Sequence, residues 1–466
     1  GVVMTDVADS VTLSLVHVND IHGAYNYTEE KGTHVARIAG YCAQVRAENP
    51  LTLFTNGGDD YEKGSIVEVL SEGEATRALV EAMRYDVRTL GNHDFAWSVA
   101  HTLACSQDPH ADVLCANVAY TGPDGPDAWN AKSWTVKILD GIRVGFVGLV
   151  AHPWNEHNEP GLGDYYPEMP TRLDYQAVVA EVLDKHAHEA DLIVLLSHLG
   201  LGRDRDMAAR FKAINVILGA HSHDAITEVT PSGTIILQTG KSGHYIGRLD
   251  LYIDRKTKTI HHHHCALVNN IKDQVPADPA IEQTVRTLMA RYAPEALTTI
   301  GHAMYSANKA DVAALTAQAT LKICGDIDAA LIHTKAVFEP WAQGPLCPQT
   351  LLDAFKVERQ PAGTPGWTSV YTVRLSGTML ARLRDETDPM RWHFAGPDTL
   401  VPSATYVLMT QKYAALHPER YFPTGVTVTD PAPYAETWEL LDTYARQQTR
   451  AGLPFDHLLV QTAGAA

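Results

Sequence analysis

The stretch "LSLVHVNDIHGAYN", residues 13–26, decides the fold. Its first part, residues 13–18, is mainly apolar and predicts a buried strand, and Asp20 and His22 follow with no turn residue before them. Residues two apart in an extended chain point to the same side, so both side chains can reach one ion or two adjacent ions. The stretch therefore indicates a sheet in which a strand end carries a polar site.

The length, composition and net charge of the sequence limit the classes of protein to which it can belong. A chain of 466 residues exceeds what one hydrophobic core usually serves, which predicts two domains. Apolar residues make up 45% of the chain, and no apolar run is long enough to span a bilayer. The formal net charge of -18 argues against binding to a nucleic acid polymer, because such binding requires Lys and Arg to neutralise phosphates. An anionic substrate would need local positive charge, which bound metal cations would supply.

The cysteines and the first residues leave the compartment open. The sequence has six cysteines and no C-x-x-C pair that would indicate a zinc ribbon or a redox dithiol. Cys105 and Cys115 either close a short disulfide loop in an oxidising compartment or are buried thiols. The first residues, "GVVMTDVADS", show neither a basic nor an apolar signal region. We expect a periplasmic or extracellular protein if a signal peptide was removed, and a cytoplasmic one otherwise.

Alternating strands and helices organise the first half. Apolar runs typical of buried strands recur there with amphipathic helical stretches between several of them, which predicts an α/β layer fold with functional residues beyond the strand ends. Residues 271–297 have a proline-bearing entry and helical spacing, and we interpret them as a linker helix. The predicted domains are residues 1–270 and 298–466. The tract His261–His264 follows a strand and is interpreted as a solvated edge or loop without a metal role.

Polar clusters follow five of the predicted strands. They are "NDIHG", "NGGDD", "GNHDF", "SHLG" and "GAHSHD". A single histidine at a strand end is usually a hydrogen-bonded or surface residue, but five such clusters are too many costly desolvated groups for a structural role alone. Oxygen and imidazole ligands without a thiolate suit Mn, Fe, Zn or a mixed pair.

The motifs "DIHG", "GGDD", "GNHD", "SHLG" and "GAHSH" resemble those of the calcineurin-like metallophosphoesterases, and more narrowly of the 5'-nucleotidase family. Their order and relative spacing match over residues 11–254. The second half is similar to the substrate-binding domain of that family in layout but not in its specific residues. The resemblance implies a four-layer α/β/β/α sandwich followed by a smaller α/β domain, with residues 271–297 as a hinge.

The resemblance also implies a site for two divalent ions, Mn, Zn or Fe. The implied ligands are Asp20, His22 and His223 for the first ion, Asp59 as the bridge, and Asn92, His198 and His221 for the second. Two such cations would bind a phosphoryl oxygen and lower the pKa of a water nucleophile. His93 would then face the phosphate, where it would stabilise the transition state or protonate the leaving group.

The sequence departs from the family beside His93. Many 5'-nucleotidases carry an Asp three residues after the His of "GNH", and this Asp orients the imidazole. The position is Ala96 here, so His93 either works without that partner or borrows another carboxylate, of which Asp94 is the nearest in sequence. His93 and Asp94 are therefore the predicted catalytic residues.

A second departure lies in the substrate domain. Two loops that carry an Arg and a Phe in the family correspond to "IHTKAVFEPW" and "FKVERQPAG", which lack those residues at the expected places. The third place, "QKYAALHPERYF", keeps aromatic residues that can stack on a base. The predicted substrate contacts are Lys335, Arg359, Tyr413 and Tyr421, with Arg420 as a further candidate for an anion contact.

The leading hypothesis is metal-dependent hydrolysis of a small phosphoester, first of all a nucleotide. Related two-domain hydrolases cleave 2',3'-cyclic nucleotides, NAD-type pyrophosphates, or sulfate from carrier-bound thiosulfonate in sulfur oxidation, and these activities remain alternatives. A non-catalytic binding protein with the same fold is a third hypothesis. The retention of every metal-ligand type together with His93 argues against it. The oligomeric state stays open.

Overall fold

The computed structural model describes residues 9–152, 165–271, 273–355 and 367–459. These residues form two compact units, the first ending at Tyr292 and the second beginning at Ala293. The division falls within the segment 271–297 that the sequence indicates as a linker. The hinge role of this segment stays a prediction.

The first unit contains a mixed sheet that begins with the strand of the opening stretch. In chain order its strands are β1 (Ser10–Val18), β2 (Thr52–Asn56), β3 (Val87–Thr89), β4 (Asp112–Leu114), β11 (Tyr245–Asp254) and β12 (Thr259–Asn269), arranged as β12-β11-β1-β2-β3-β4. β1 pairs with β2 in parallel and with β11 antiparallel. This central position explains why β1 is buried along almost its whole length.

A second sheet contributes the remaining strand ends of the site. Its strands are β5 (Trp134–Leu139), β6 (Ile142–Val150), β7 (Leu192–His198), β8 (Val216–Leu218), β9 (Ala225–Val229) and β10 (Ile235–Thr239), arranged as β5-β6-β7-β8-β10-β9. The pairs β6–β7 and β7–β8 are parallel. The carboxyl ends of β7 and β8 therefore lie at the same edge of this sheet.

The two sheets pack face to face through a shared apolar core. Alternate residues of both sheets, such as Leu15 of β1, Phe146 of β6 and Val194 of β7, belong to one buried cluster. The helices of this unit are α1 (His34–Glu48), α2 (Ile66–Leu70), α3 (Glu74–Met83), α4 (Val99–Ser106), α5 (Tyr175–His186), α6 (Leu201–Arg210) and α7 (Pro279–Tyr292). α5 and α6 pack on the outer face of the second sheet, and α1 contacts β1 and β2 of the first. The predicted four-layer α/β/β/α arrangement is confirmed.

The second unit is a smaller α/β domain. Its strands are β13 (Gly301–Ala303), β14 (Ala329–His333), β15 (Gly344–Leu346), β16 (Ser369–Ser376), β17 (Trp392–Ala395), β18 (Thr405–Gln411) and β19 (Thr429–Glu436). Five of them form the sheet β17-β14-β18-β16-β19, and β13 pairs with β15. The helices are α8 (Lys309–Ile323), α9 (Pro348–Phe355), α10 (Gly377–Glu386), α11 (Lys412–Leu416), α12 (Pro418–Tyr421) and α13 (Thr437–Arg450).

Three sequence features receive a structural place. Cys105 and Cys115 are buried free thiols, so the two residues do not form the short disulfide loop. The tract His261–His264 lies on β12, the edge strand of the first sheet, where His261 contacts Ser10 through a hydrogen bond. Within the described ranges, no helix has both the length and the apolar character needed to cross a membrane.

Candidate active site

The loops after β1 and β2 run side by side and place the first site residues. The backbone N–H of Asp20 donates to the carbonyl of Gly58, and that of His22 donates to the carbonyl of Asp59, each at 2.9 Å. Gly58 has a φ of 91°, and a Cβ there would lie 2.4 Å from the backbone nitrogen of Gly91. The turns after β2 and β3 therefore approach each other so closely that a residue with a side chain could not replace Gly58.

Several site residues share an unusual backbone conformation. Five of the predicted ligands have a positive φ, and they are Asp20 (55°), His22 (52°), Asp59 (61°), His221 (81°) and His223 (63°). The left-handed region is uncommon for residues other than glycine, but Asp, Asn and His enter it more readily than most. Each chain thus turns sharply just past its strand, so the expectation that Asp20 and His22 share a side of an extended chain is wrong, and the turns bring the two side chains together instead.

Three overlapping groups of potential ligand atoms converge at this edge. The first is Asp20, His22 and His223, the second is Asp59, His198 and His221, and a third joins His22 and Asp59 to His93. In the first group Oδ1 of Asp20 lies 3.5 Å from Nε2 of His22 and 3.4 Å from Nε2 of His223. These separations are of the size expected for ligands that share one ion.

The second group includes the amide of Asn92. Oδ2 of Asp59 lies 3.0 Å from Nε2 of His198 and 3.7 Å from Nε2 of His22, so Asp59 faces both groups. Oδ1 of Asn92 lies 3.0 Å from Nε2 of His198 and 3.1 Å from Nδ1 of His221. The structure therefore brings all seven predicted ligands together, whereas metal binding itself stays a prediction.

The donor set fits divalent cations. Nδ1 of His22 donates to the carbonyl of Glu62 at 2.7 Å, and Nδ1 of His198 donates to the carbonyl of Gly57 at 2.7 Å, which leaves Nε2 of each ring as a lone-pair donor. Nε2 of His22 lies only 3.1 Å from Nε2 of His223. Among the described residues, the buried Oδ1 of Asp20 has no hydrogen-bond partner. Divalent cations held by the two groups would satisfy these atoms.

Charges within the site shift the pKa values of its groups. Burial would lower the pKa of His198, but the charges of Asp59 and Asp20 raise it to about 10. Burial would also lower the pKa of His22, but the nearby carboxylates of Asp20 and Asp59 raise it to about 9. Protons on these imidazoles balance the two carboxylates, so a cation that binds here must displace them.

His93 has a carboxylate partner that the sequence interpretation missed. Oε1 of Glu62 lies 2.9 Å from Nδ1 of His93, and the Glu62 side chain is only 2% exposed. A ring nitrogen of His93 lies within 4.8 Å of ligand atoms of His22 and Asp59. Burial lowers the pKa of His93 to about 4, although the nearby charge of Asp59 acts to raise it. The ring is therefore neutral near pH 7.

Asp94 has a different place from the one predicted. Its Oδ2 accepts the backbone N–H of Gly91 at 2.6 Å and of Asp59 at 3.0 Å, and its Oδ1 accepts that of Asp60 at 3.0 Å. These contacts tie the turn after β3 to the turn after β2. They correct the expectation that His93 borrows Asp94, because the carboxylate bonded to His93 is Glu62.

The curated relatives of the chain include proteins named 5'-nucleotidase and one named metallophosphoesterase. No protein-family model matches the chain. A 5'-nucleotidase of Homo sapiens is 24% identical over 316 residues, which cover 61% of this chain and 54% of the relative. An uncharacterised metallophosphoesterase of Bacillus subtilis (strain 168) is 25% identical over 255 residues, with 53% and 52% covered. The chain thus spans about half the length of the curated relatives it matches.

Solved structures cover almost the whole chain. A 5'-nucleotidase precursor of Thermus thermophilus superposes with a TM-score of 0.66 at 19% identity, covering 94% of this chain and 96% of that one. The chain has the two-domain 5'-nucleotidase fold. A sulfate thiohydrolase of the same organism shares this fold with a TM-score of 0.63 at 16% identity, covering 93% and 94%. The resemblance that the sequence motifs indicate is confirmed by these comparisons.

The second unit of this 5'-nucleotidase fold groups most of the predicted substrate residues around a tryptophan. The rings of Tyr413 and Tyr421 lie 5.2 Å apart, and Trp367 packs edge-on against them at 5.7 and 5.0 Å. Nζ of Lys335 lies 5.3 Å from the Trp367 ring centroid, and Nη1 of Arg420 donates to the Tyr413 hydroxyl at 3.0 Å.

Two outcomes concern single residues of this region. Arg359 lies outside the described residues, so its predicted contact stays a prediction. Trp367 was missed because it follows "FKVERQPAGTPG", which has no strand or helix pattern. A lone Trp after a Gly- and Pro-rich sequence, in a domain expected to bind a base, was the available signal.

Proposed function

We propose that this protein is a metal-dependent phosphoester hydrolase, with nucleoside 5'-monophosphates as the first candidate substrates. The observation that carries the proposal is the convergence of imidazole Nε2 atoms on Oδ1 of Asp20 and Oδ2 of Asp59. The names of the relatives support the reaction class.

The proposed mechanism assigns the site residues distinct tasks. One divalent cation would be held by Asp20, His22 and His223, and a second would be held by Asn92, His198 and His221. Asp59 would contact both cations. When bound, such cations supply Lewis-acid stabilisation of phosphoryl charge and a water nucleophile with a lowered pKa. His93 would contact the phosphoryl group or the leaving oxygen and stabilise the charge that develops there.

The second unit supports a nucleoside as the leaving group. Trp367, Tyr413 and Tyr421 offer aromatic faces, and each stacked base contributes roughly 1 to 3 kcal/mol. Lys335 adds positive charge beside them. A base would bind the aromatic residues, and the cation would favour an anionic ester.

The first experiment measures phosphate release from nucleoside monophosphates, 2',3'-cyclic nucleotides, dinucleotides and sugar phosphates, with Mn or Zn added and after chelation. We expect metal-dependent turnover of 5'-monophosphates. Sulfate release from thiosulfonates without phosphate release would instead favour the thiohydrolase activity, and no turnover of any substrate would overturn an enzymatic role.

Matched variants test the site. Asp59→Asn and His221→Ala should each lower both bound metal and activity at least ~100-fold, because each removes a ligand. His262→Ala, which removes an exposed histidine from β12, is the control and should behave as wild type. Full metal content and activity in Asp59→Asn would contradict the proposed site.

A further inference from the structure

Glu62 contacts two histidines of the site with different groups. Its carboxylate Oε1 lies 2.9 Å from Nδ1 of His93, and its backbone carbonyl accepts from Nδ1 of His22 at 2.7 Å. One residue therefore sets the orientation of a predicted metal ligand and of the imidazole that the mechanism places at the phosphoryl group.

The position of Glu62 is itself fixed. Its backbone N–H donates to Oε2 of Glu68 at 2.7 Å. Glu68 is buried and also accepts from the Thr76 hydroxyl at 2.8 Å and from Nε1 of Trp97 at 3.3 Å. Glu68 therefore holds the backbone of Glu62, and the Glu62 side chain, which is only 2% exposed, presents its carboxylate to His93 before any substrate arrives.

We propose that Glu62 is the positioning residue of His93. A neutral imidazole carries one N–H, and an acceptor at Nδ1 fixes that proton there. Nε2 is then the nitrogen available to the substrate. When Nε2 takes up a proton from solvent, which it then passes to the leaving oxygen, the same carboxylate stabilises the positive charge that the ring carries until that transfer. The inference rests on the proposed function, since it gives His93 its orientation for that reaction.

Kinetic variants of the metal-loaded, full-length protein test this role. Glu62→Gln keeps an oxygen that can accept from Nδ1 but removes the charge, whereas Glu62→Ala removes both. We expect kcat to fall roughly 10- to 100-fold in Glu62→Gln and further in Glu62→Ala, with KM and metal content little changed. The loss should be smaller for an ester with a good aryl leaving group, which needs less protonation.

A double variant separates positioning from a structural effect. If Glu62 acts through His93, Glu62→Gln combined with His93→Ala should be no slower than His93→Ala alone. If the two losses of kcat multiply in the double variant, or if Glu62→Gln loses metal, the proposal is overturned. The matched control is Glu74→Gln, because Glu74 contacts another histidine, His101, at 3.2 Å outside the site. It should leave kcat unchanged.

A measurement that needs no turnover keeps the two proposals distinct. Nitrogen NMR of the zinc-loaded protein, with His93 assigned from the His93→Ala spectrum, reports which ring nitrogen carries the proton. We expect Nδ1–H in wild type and its loss in Glu62→Ala. An unchanged spectrum in Glu62→Ala would overturn the positioning role, whereas absent turnover in wild type would overturn only the proposed function.

Discussion

Asp94 holds two turns of the site together through backbone contacts alone. Both of its carboxylate oxygens are used by the N–H groups of Gly91, Asp59 and Asp60. An amide in its place would present N–H groups to one or more of these donors. Buried donors left without an acceptor cost about 1 to 3 kcal/mol each.

We therefore expect Asp94→Asn to lower the urea midpoint of the first unit and to weaken metal binding. The change in midpoint, with metal content measured alongside, checks this. Asp206→Asn, at an exposed position of α6, is the control and should change neither quantity. An unchanged midpoint in Asp94→Asn would show that the turn does not depend on these bonds.

Asp204 makes the stability of the folded chain depend on pH. It is fully buried on α6, where Oδ1 accepts the Ser197 hydroxyl at 2.5 Å, and burial raises its pKa from 3.8 to about 8. Between pH 3.8 and about pH 8 the Asp204 carboxyl keeps its proton in the folded chain but has lost it in the unfolded chain. The contribution of Asp204 to the free energy of unfolding is therefore fully present below about pH 4. It falls by about 1.4 kcal/mol per pH unit as the pH rises toward 8.

Asp204→Asn, which resembles the neutral acid, should remove this loss. We expect the variant to gain stability relative to wild type between pH 5 and pH 8, measured as urea midpoints in the presence of chelator. Asp206→Asn should follow the wild-type curve. Parallel curves for wild type and Asp204→Asn would show that Asp204 does not carry the raised pKa.

At the scale of elements, the turns after β2 and β3 depend on their glycines. A Cβ at Gly91 would lie 2.2 Å from Oδ1 of Asp59 and 2.4 Å from its backbone nitrogen. We expect Gly91→Ala to displace Asp59 and to abolish metal binding, measured as metal content of the purified protein. Gly202→Ala is the matched control, because Gly202 lies in α6 with open space at its Cβ position and helices favour Ala by about 1 kcal/mol. Retained metal in Gly91→Ala would contradict the close approach.

The sequence predicts those structural features that depend on residues close to each other along the chain. The strand β1 and the polar pair Asp20 and His22 were predictable because an apolar run precedes the motif directly. Glu62 was not, since its contact with His93 joins two loops 31 residues apart and no periodicity reports such a contact. Ala96 left open whether His93 has a carboxylate partner at all, and distance along the sequence pointed only to Asp94.

At the scale of the whole molecule, the two units should respond differently to metal. The candidate ligands all belong to the first unit, so metal removal should destabilise that unit and leave the second unchanged. At a metal concentration about 100 times Kd the stabilisation is about 2.7 kcal/mol. Calorimetry with and without chelator checks this. We expect one metal-sensitive transition, absent from Asp59→Asn, and equal shifts of all transitions would contradict the assignment.

The positive φ values of the ligand turns restrict how this site can be redesigned. Asp20, His22, Asp59, His221 and His223 combine a coordinating side chain with a backbone that most residues enter only at a cost of roughly 1 kcal/mol or more. Exchanging one of them for Glu or Cys, to change the preferred metal, would add this conformational penalty to any change in coordination chemistry. Substitutions between Asp, Asn and His keep the turn, so the accessible variants of this centre are those that exchange oxygen for nitrogen ligands within these three residue types.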